Sequence, residues 1–314
     1  MSSSASFHIV IPVHNRREVT LYCLEQLQAL VTRKEWKVCV IDDGSTDGTT
    51  QAILEKFPET TLLAGDGNLF WTGAMELGMR HAIAEGASCC VWLNDDLTLG
   101  EKAIEQVCAL AMERQAVVCG QGVIDLENGT QWFFPAVFRG RCELTSAEID
   151  PNSISPVAVD TCRGNLVAIP KSVIDRIGYP DGRNIPHLGG DSDYGLRATA
   201  AGIECLTLCS ARFFEKETVR TDNRSWLLGK QSLRKIWSSS LSRRGMLYPR
   251  MVIVFNLRHW GALGLIKILR LYTRLLVISF IRLVVPRKLL FFCYSGHSHA
   301  YQCYEGRPEE SNAP

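Results

Sequence analysis

Between residues 223 and 304 the chain has no aspartate and no glutamate, although 14 lysines and arginines fall there. The preceding 222 residues hold 30 acids against 19 Lys and Arg, so a segment of net charge −11 adjoins one of +14. Such asymmetry points to one part of the protein meeting an anionic surface, membrane or nucleic acid. Other absences narrow the reading. No C-x-x-C pair occurs among the 12 cysteines, which argues against a zinc knuckle or a redox pair. Cys39, Cys89, Cys90, Cys119 and Cys205 lie in apolar runs, where a thiol serves as a small core side chain, so buried free thiols are expected. Residues 1–6 have neither a basic segment nor a long apolar one, and the expectation is a cytoplasmic body. No G-x-G-x-x-G follows the first apolar run and no G-x-x-x-x-G-K-[ST] occurs, which excludes dinucleotide-dependent dehydrogenases and P-loop kinases. There are no internal repeats and no low-complexity tracts, and the composition is that of an ordinary globular protein.

What is present alternates. Phe7–Val13, Val38–Ile41, Thr61–Ala64, Cys89–Leu93 and Val117–Val123 read as strands, and residues 16–32, 51–57, 73–85 and 103–112 as the intervening helices. Residues 125–160 look irregular or hairpin-like. Strand 167–169, helices 171–177 and 191–201, and strand 204–208 follow. The alternation predicts an α/β fold, a mostly parallel central sheet flanked by helices in the Rossmann-like manner, with a C-terminal helical extension that is basic and apolar. The length suits one large domain with an appendage, divided as a main domain over 1–222, a helical extension over 223–292 and a flexible tail over 293–314.

In residues 246–292, Lys267, Arg270, Arg274 and Arg282 recur at spacings of 3, 4 and 8 within a dense apolar background. On one helix they fall along one face. A spanning helix wants about 20 apolar residues, whereas a broad apolar face with a cationic stripe fits a helix lying in the membrane interface. The expectation is therefore peripheral attachment to an anionic membrane surface, at the inner face. A buried helix packed on the sheet is the competing reading. Nucleic acid is disfavoured, because the basic residues are interleaved with Leu, Ile and Val rather than with polar or stacking residues.

The chemistry lies in four places. The run Val91-Trp92-Leu93 ends in Asn94-Asp95-Asp96. An aliphatic strand delivering acids to its C-terminal end builds a metal site at the ligand-binding edge of an open sheet, and oxygen ligands suit Mg²⁺ or Mn²⁺ shared with a diphosphate. An N-capping turn before the next helix explains the same trio. Asp42-Asp43-Gly44-Ser45 follows the second strand, where a carboxylate can accept from a base or a ribose hydroxyl and the glycine lets backbone approach a ligand. It is also good turn chemistry. The loop Gly65-Asp66-Gly67-Asn68-Leu69-Phe70-Trp71-Thr72-Gly73 sets two aromatics beside glycines before a helix, whose N-terminus suits a phosphate or a sugar hydroxyl, with Trp71 stacking on a sugar face. Alternatively its aromatics staple the loop. Gly189-Gly190-Asp191-Ser192-Asp193-Tyr194-Gly195-Leu196-Arg197 opens another helix, with an i,i+4 ion pair available between Asp193 and Arg197. Asp191 is the candidate general base for an acceptor hydroxyl; the competing reading is an acidic turn favoured by the helix dipole.

From the first strand to about residue 209 the chain resembles glycosyltransferases of family 2, with the A-type nucleotide-sugar-binding fold. The resemblance rests on Ile9-Val10-Ile11-Pro12-Val13-His14-Asn15, Val40-Ile41-Asp42-Asp43-Gly44-Ser45-Thr46-Asp47, Leu93-Asn94-Asp95-Asp96 and Asp191-Ser192-Asp193-Tyr194-Gly195-Leu196-Arg197 in that order. The loop from Gly67-Asn68 onward looks like that of rhamnosyltransferase-like members. The resemblance implies an inverting transfer of a sugar from a UDP- or dTDP-sugar, with dTDP-rhamnose among the donors. The acceptor would be a saccharide or lipid-linked saccharide in surface polysaccharide synthesis. It implies that Pro12, Val13, Asn15, Asp42, Asp43, Gly67, Asn68, Trp71, Asn94, Asp95, Gly164, Asp193 and Arg197 line the nucleotide-sugar site. Asn94 and Asp96 would hold Mg²⁺ or Mn²⁺, and Asp191 would act as base. By their position in the chain, residues 125–160, Arg163-Gly164-Asn165 and His187 are expected to shape acceptor choice. The chain departs from the pattern at Asn94, where the first Asp of a D-x-D motif is usual, and at Gly190, where many members have Glu. No histidine lies between His187 and His259 to serve as the further metal ligand some members use. Sugar nucleotidyltransferases share the sheet type but need a Gly-rich basic loop where this chain has Pro12-Val13-His14-Asn15. The non-enzymatic alternative is a catalytically degenerate, membrane-associated binding module.

Overall fold

The computed structural model describes residues 5–126, 129–133, 135–139, 143–215, 231–286 and 289–290; the predicted tail lies outside the described residues. In chain order the elements are β1 (Phe7–Val13), α1 (Arg17–Val31), β2 (Trp36–Asp42), α2 (Thr49–Lys56), β3 (Thr61–Ala64), α3 (Phe70–Ala84), β4 (Cys89–Leu93), β5 (Leu97–Leu99), α4 (Ala103–Arg114) and β6 (Val117–Leu126). Then come β7 (Gly129–Phe133), β8 (Ala136–Arg139), β9 (Glu143–Ser146), β10 (Val157–Val159), β11 (Leu166–Pro170), α5 (Lys171–Ile177), α6 (Gly190–Ala200) and β12 (Cys205–Glu215). The extension contributes α7 (Leu233–Leu241), α8 (Pro249–Trp260) and α9 (Ala262–Val284).

The main sheet has the order β10-β12-β6-β11-β4-β1-β2-β3, with β5 on β12 and β7 on β6. β1 pairs in parallel with β2 and β4, and β2 with β3. β11 enters antiparallel between β4 and β6, so the sheet is mixed beyond its parallel N-terminal half. Residues 125–160 include the predicted hairpins, β6–β7 and the separate pair β8–β9. The inner strands are continuous apolar runs because both their faces are covered. Side chains alternate across the sheet, so Ile9 and Ile11 of β1 join a core with Leu24 and Leu27 of α1 and Val107 of α4, while Val10 joins one with Met75 and Met79 of α3 and Tyr194 of α6. The nine described cysteines are buried and free, as their apolar neighbours foretold. Burial pushes the Cys39 and Cys205 thiols up to about 12, so they stay protonated and inert.

The extension is helical. A small third core joins Ile236, Leu247 and Leu275. α9 exposes Leu265, Leu269, Leu276, Phe280 and Leu283, which lie on one side at about 100° per residue. Arg270 and Arg274 are exposed at the edge of that side, and Lys267 lies over the Trp260 ring at 3.5 Å. Arg282 departs from the predicted stripe and donates to the carbonyl of Gln231. Among the described residues no helix is long and apolar enough to cross a membrane.

Candidate active site

Parallel pairing puts the C-terminal ends of β1, β2, β3 and β4 on one edge, and the loops there are tied together. The Asp43 amide donates to the Val13 carbonyl at 2.9 Å, and the Gly65 amide to the Asp42 carbonyl at 2.8 Å. His14 Nδ1 lies 2.6 Å from the Asp43 carbonyl, and Asn15 Oδ1 accepts the Thr46 amide at 2.7 Å. Asp42 Oδ1 accepts the Ser45 amide at 2.9 Å, and its other oxygen takes the Thr50 hydroxyl. Pro12 and Asn15 reach the edge, whereas Val13 is 3% exposed and belongs to the core, so only its carbonyl serves the site.

Asp43 is buried, and its carboxylate organises the aromatic loop. It accepts the amides of Gly67 at 2.8 Å, Leu69 at 3.2 Å and Phe70 at 2.9 Å. These bonds hold Phe70 at φ 54°, a left-handed conformation rare outside glycine. Helix α3 therefore starts at Phe70, three residues earlier than its apolar spacing suggests, with no side chain of its own cap residue engaged. The Thr72 amide donates to the Pro186 carbonyl at 2.9 Å. The amides of Phe70 and Thr72 at this helix end thus have protein acceptors.

Asn94-Asp95-Asp96 does not cap a helix. It leads into β5, which pairs with β12 through Leu97 and Glu215, and α4 begins only at Ala103. The Asn94 amide donates to the Asn165 carbonyl at 2.9 Å, and Asn94 Oδ1 accepts the Trp71 indole N–H at 2.8 Å. Asp95 points inward, 1% exposed, and bonds Arg16 Nη1 at 2.8 Å and the Thr20 hydroxyl at 2.9 Å. Burial raises the Asp95 pKa to about 6 against the opposing pull of Arg16. Asp96 is 39% exposed and meets Arg16 Nη2 at 3.0 Å. Arg16 escaped the sequence reading because a cation one position after a motif reads as solvated surface.

Asp191 stands at the start of α6. Its Oδ1 accepts the Ser192 amide at 2.7 Å and the Ser192 hydroxyl at 3.5 Å, and its Oδ2 accepts the Gly164 amide at 3.0 Å, which leaves Oδ2 a further lone pair. Trp71 packs at Gly164, next to Asp191, with its indole N–H on Asn94 of the acidic turn. A Cβ at Gly164 would lie 2.4 Å from Trp71 Cζ2 and 3.2 Å from Asp191 Cβ. The indole also meets Trp92 edge-on at 5.3 Å. Gly190 has its own steric reason: a Cβ there would lie 2.1 Å from the Thr72 hydroxyl oxygen. His187 has its Nδ1 buried without a partner among the described residues, and its ring lies 6.2 Å from that of Phe70.

Asp193 and Arg197 face the other way. Asp193 is 0% exposed and accepts from Arg197 Nε at 3.0 Å, the i,i+4 pair expected from the sequence. It also accepts from Arg258 Nη1 at 2.7 Å and lies 2.9 Å from His259 Nε2, both on α8. Burial pushes its pKa up, but these partners outweigh burial and leave it below the usual carboxylate range. Arg197 further donates to the carbonyls of Ile177 and Tyr179. Val13, Asp95 and Asp193 are buried, and the polar groups of Asp95, Asp193 and Arg197 meet protein partners that support the site.

The residues present fit a divalent ion held partly by its substrate. Among the described residues no three His, Cys, Asp or Glu side chains converge in a cage. Asp96 and Asn94 offer one accessible carboxylate and one amide oxygen. Mg²⁺-type ions are commonly bound by one or two carboxylates together with substrate phosphates.

The chain is similar to known proteins. The family model described as "Glycosyl transferase family 2" matches residues 8–170, more than half of the 314-residue chain. That span includes the edge residues from Pro12 to Asn165 and stops short of Asp191. Galactofuranosyltransferase GlfT1 of Mycobacterium tuberculosis, from strains CDC 1551 / Oshkosh and H37Rv, is 27% identical over 183 residues. The aligned region covers 56% of this chain and 59% of the relative, so the chain spans about three-fifths of the length of the curated relatives it matches. Among solved structures, the crystal structure of GalNAc-T7 with UDP, GalNAc and Mn²⁺ shares the fold, with a TM-score of 0.57 at 12% identity, covering 70% of this chain and 45% of that one.

Proposed function

Because the chain belongs to glycosyl transferase family 2, we propose that it is an inverting, metal-dependent glycosyltransferase that uses a UDP- or dTDP-sugar. Asp191 takes the proton of an acceptor hydroxyl as that oxygen attacks the anomeric carbon. The bond to the nucleoside diphosphate breaks on the opposite face, and the configuration inverts. An aspartate is a weak base for a free alcohol, so it accepts the proton as the hydroxyl becomes acidic during attack. A Mg²⁺ or Mn²⁺ ion on Asp96 and Asn94 would neutralise charge on the departing diphosphate. Pro12, Asn15, Asp42, Asp43, Gly67 and Asn68 shape the nucleotide side. The observation that carries the reading is the Trp71 bridge: one indole bonds Asn94 and packs at Gly164, whose amide holds Asp191.

The donor sugar is a hexosyl or related group. dTDP-rhamnose, from the loop at Gly67-Asn68, and a galactofuranosyl donor, from the name of the 27%-identical relatives, are the two to compare. Arg163, Asn165 and His187 sit on the acceptor side, and the unpartnered His187 Nδ1 supports a hydroxyl-bearing saccharide there. The exposed apolar side of α9 and its flanking Arg270 and Arg274 support attachment to an anionic membrane surface. A lipid-linked acceptor in surface polysaccharide synthesis, met at the inner face of the membrane, fits that attachment. The reading of a degenerate binding module loses force at Gly190, where packing against Thr72 demands glycine. The test is Asp191→Asn, assayed as acceptor-dependent release of UDP or dTDP from a panel of nucleotide sugars. Turnover should fall by about 10²–10⁴-fold with nucleotide binding kept. Wild-type turnover in that variant would remove Asp191 from its role.

A further inference from the structure

The acidic turn after β4 already holds a cation. Arg16 bridges Asp95 at 2.8 Å and Asp96 at 3.0 Å. The two bonds differ in kind. Asp95 is 1% exposed and also takes the Thr20 hydroxyl, so this half is fixed in the protein. Asp96 is 39% exposed, and an ion pair at such a surface is weak and exchangeable. The Arg16 backbone is anchored as well, its carbonyl accepting the Thr20 amide at 2.9 Å at the start of α1.

Asp96 is also the one accessible carboxylate for the divalent ion. A guanidinium and a divalent cation on one carboxylate repel each other. We infer that Arg16 is a positioning residue that competes with the metal for Asp96. It keeps the affinity of the donor-free protein for a bare divalent ion low. It releases Asp96 when the ion arrives with a nucleoside diphosphate, whose phosphates give the released guanidinium nitrogen a new anion. Metal and nucleotide therefore bind as a coupled pair. This rests on the nucleotide-sugar reading above. Arginine suits the task because its planar fork offers five donors and can stay on Asp95 while another edge changes partner. A lysine ammonium, a single nitrogen, lacks separate edges that could change partner independently.

The test is titration of the full chain with Mn²⁺ alone, and with Mn²⁺ plus UDP or dTDP, following the electron paramagnetic resonance signal of the free ion. The wild type should bind Mn²⁺ weakly, and one of the nucleotides should tighten it. Arg16→Gln and Arg16→Lys should each bind Mn²⁺ alone about tenfold more tightly, the scale of one charge-assisted bond discounted for exposure. The tightening by nucleotide should shrink by a similar factor, as reciprocal coupling requires. Arg16→Lys keeps a cation beside Asp95, so the test survives if Arg16→Gln does not fold. Asp96→Asn should abolish the response in every background. Arg16 variants that bind Mn²⁺ alone no more tightly than the wild type, beside a wild type whose Mn²⁺ binding responds to nucleotide, would overturn this inference alone. A wild type that binds neither nucleotide would sink the donor reading and this inference with it.

Discussion

Replacing Gly164 by alanine tests whether Asp191, the proposed base, and the acidic turn are mechanically joined. The new Cβ would meet Trp71 Cζ2 at 2.4 Å and Cη2 at 2.6 Å, where ordinary contact begins at 3.4 Å. The indole must retreat by about 1 Å, and a misplacement of that size can cost about 10²-fold in rate. It cannot retreat freely, because its N–H is on Asn94 at 2.8 Å and its ring abuts Trp92. Overpacking of this kind costs about 1–3 kcal/mol of stability. The expected outcome for Gly164→Ala is thus a melting temperature a few degrees lower and a fall of about 10²-fold in acceptor-dependent nucleotide release. A second substitution separates packing from chemistry. Trp71→Phe removes the two ring atoms that the methyl group strikes, and also the N–H that Asn94 accepts. The double variant should recover stability but not turnover, a coupling that a double-mutant cycle measures. Full turnover in Gly164→Ala, with normal melting, would show that the indole does not link Asp191 to Asn94.

Two further outcomes follow. His8 is 2% exposed on β1, and burial, reinforced by the charges of Lys37 and His81, lowers its pKa from the usual 6.5 to about 4. Its folded-state pKa is depressed, so the native state loses stability as pH falls from 6.5 toward 4; melting temperatures across that window should flatten in His8→Gln, and an unchanged slope would clear His8 of the effect. For α9, wild-type protein should float with anionic vesicles, and the triple change Lys267→Glu, Arg270→Glu, Arg274→Glu should abolish flotation, each basic residue near the lipid being worth about 1 kcal/mol. Recovery of the wild type in the unbound fraction would argue against the membrane reading.

Much of the frame was legible because the buried strands announce themselves. β4 is an unbroken apolar run and β1 is interrupted only by His8, and the polar residues that follow them form the candidate site. β12 was read too short, at 204–208, because Ser210 and Arg212 interrupt its apolar pattern at an irregularity in register. Its continuation to Glu215 brings that carboxylate to Asn165 at 2.5 Å. The start of α3 was hidden because its amides are taken by Asp43, which lies 27 residues before Phe70; no local cap marks the place. The pairing of Asp193 with Arg258 and His259 was equally invisible, since nothing in a local window links positions 65 and 66 apart.

That last pairing bears on how the protein comes into being. Asp193 leaves the ribosome well before the segment bearing two of its three hydrogen-bonding partners, and a buried acid left unpaired is costly. The turn carrying Asp191 therefore awaits the arrival of residues 258 and 259 before its neighbourhood can settle. A nascent chain halted short of that point would have made most of its sheet while the neighbourhood of Asp191 stayed unsettled.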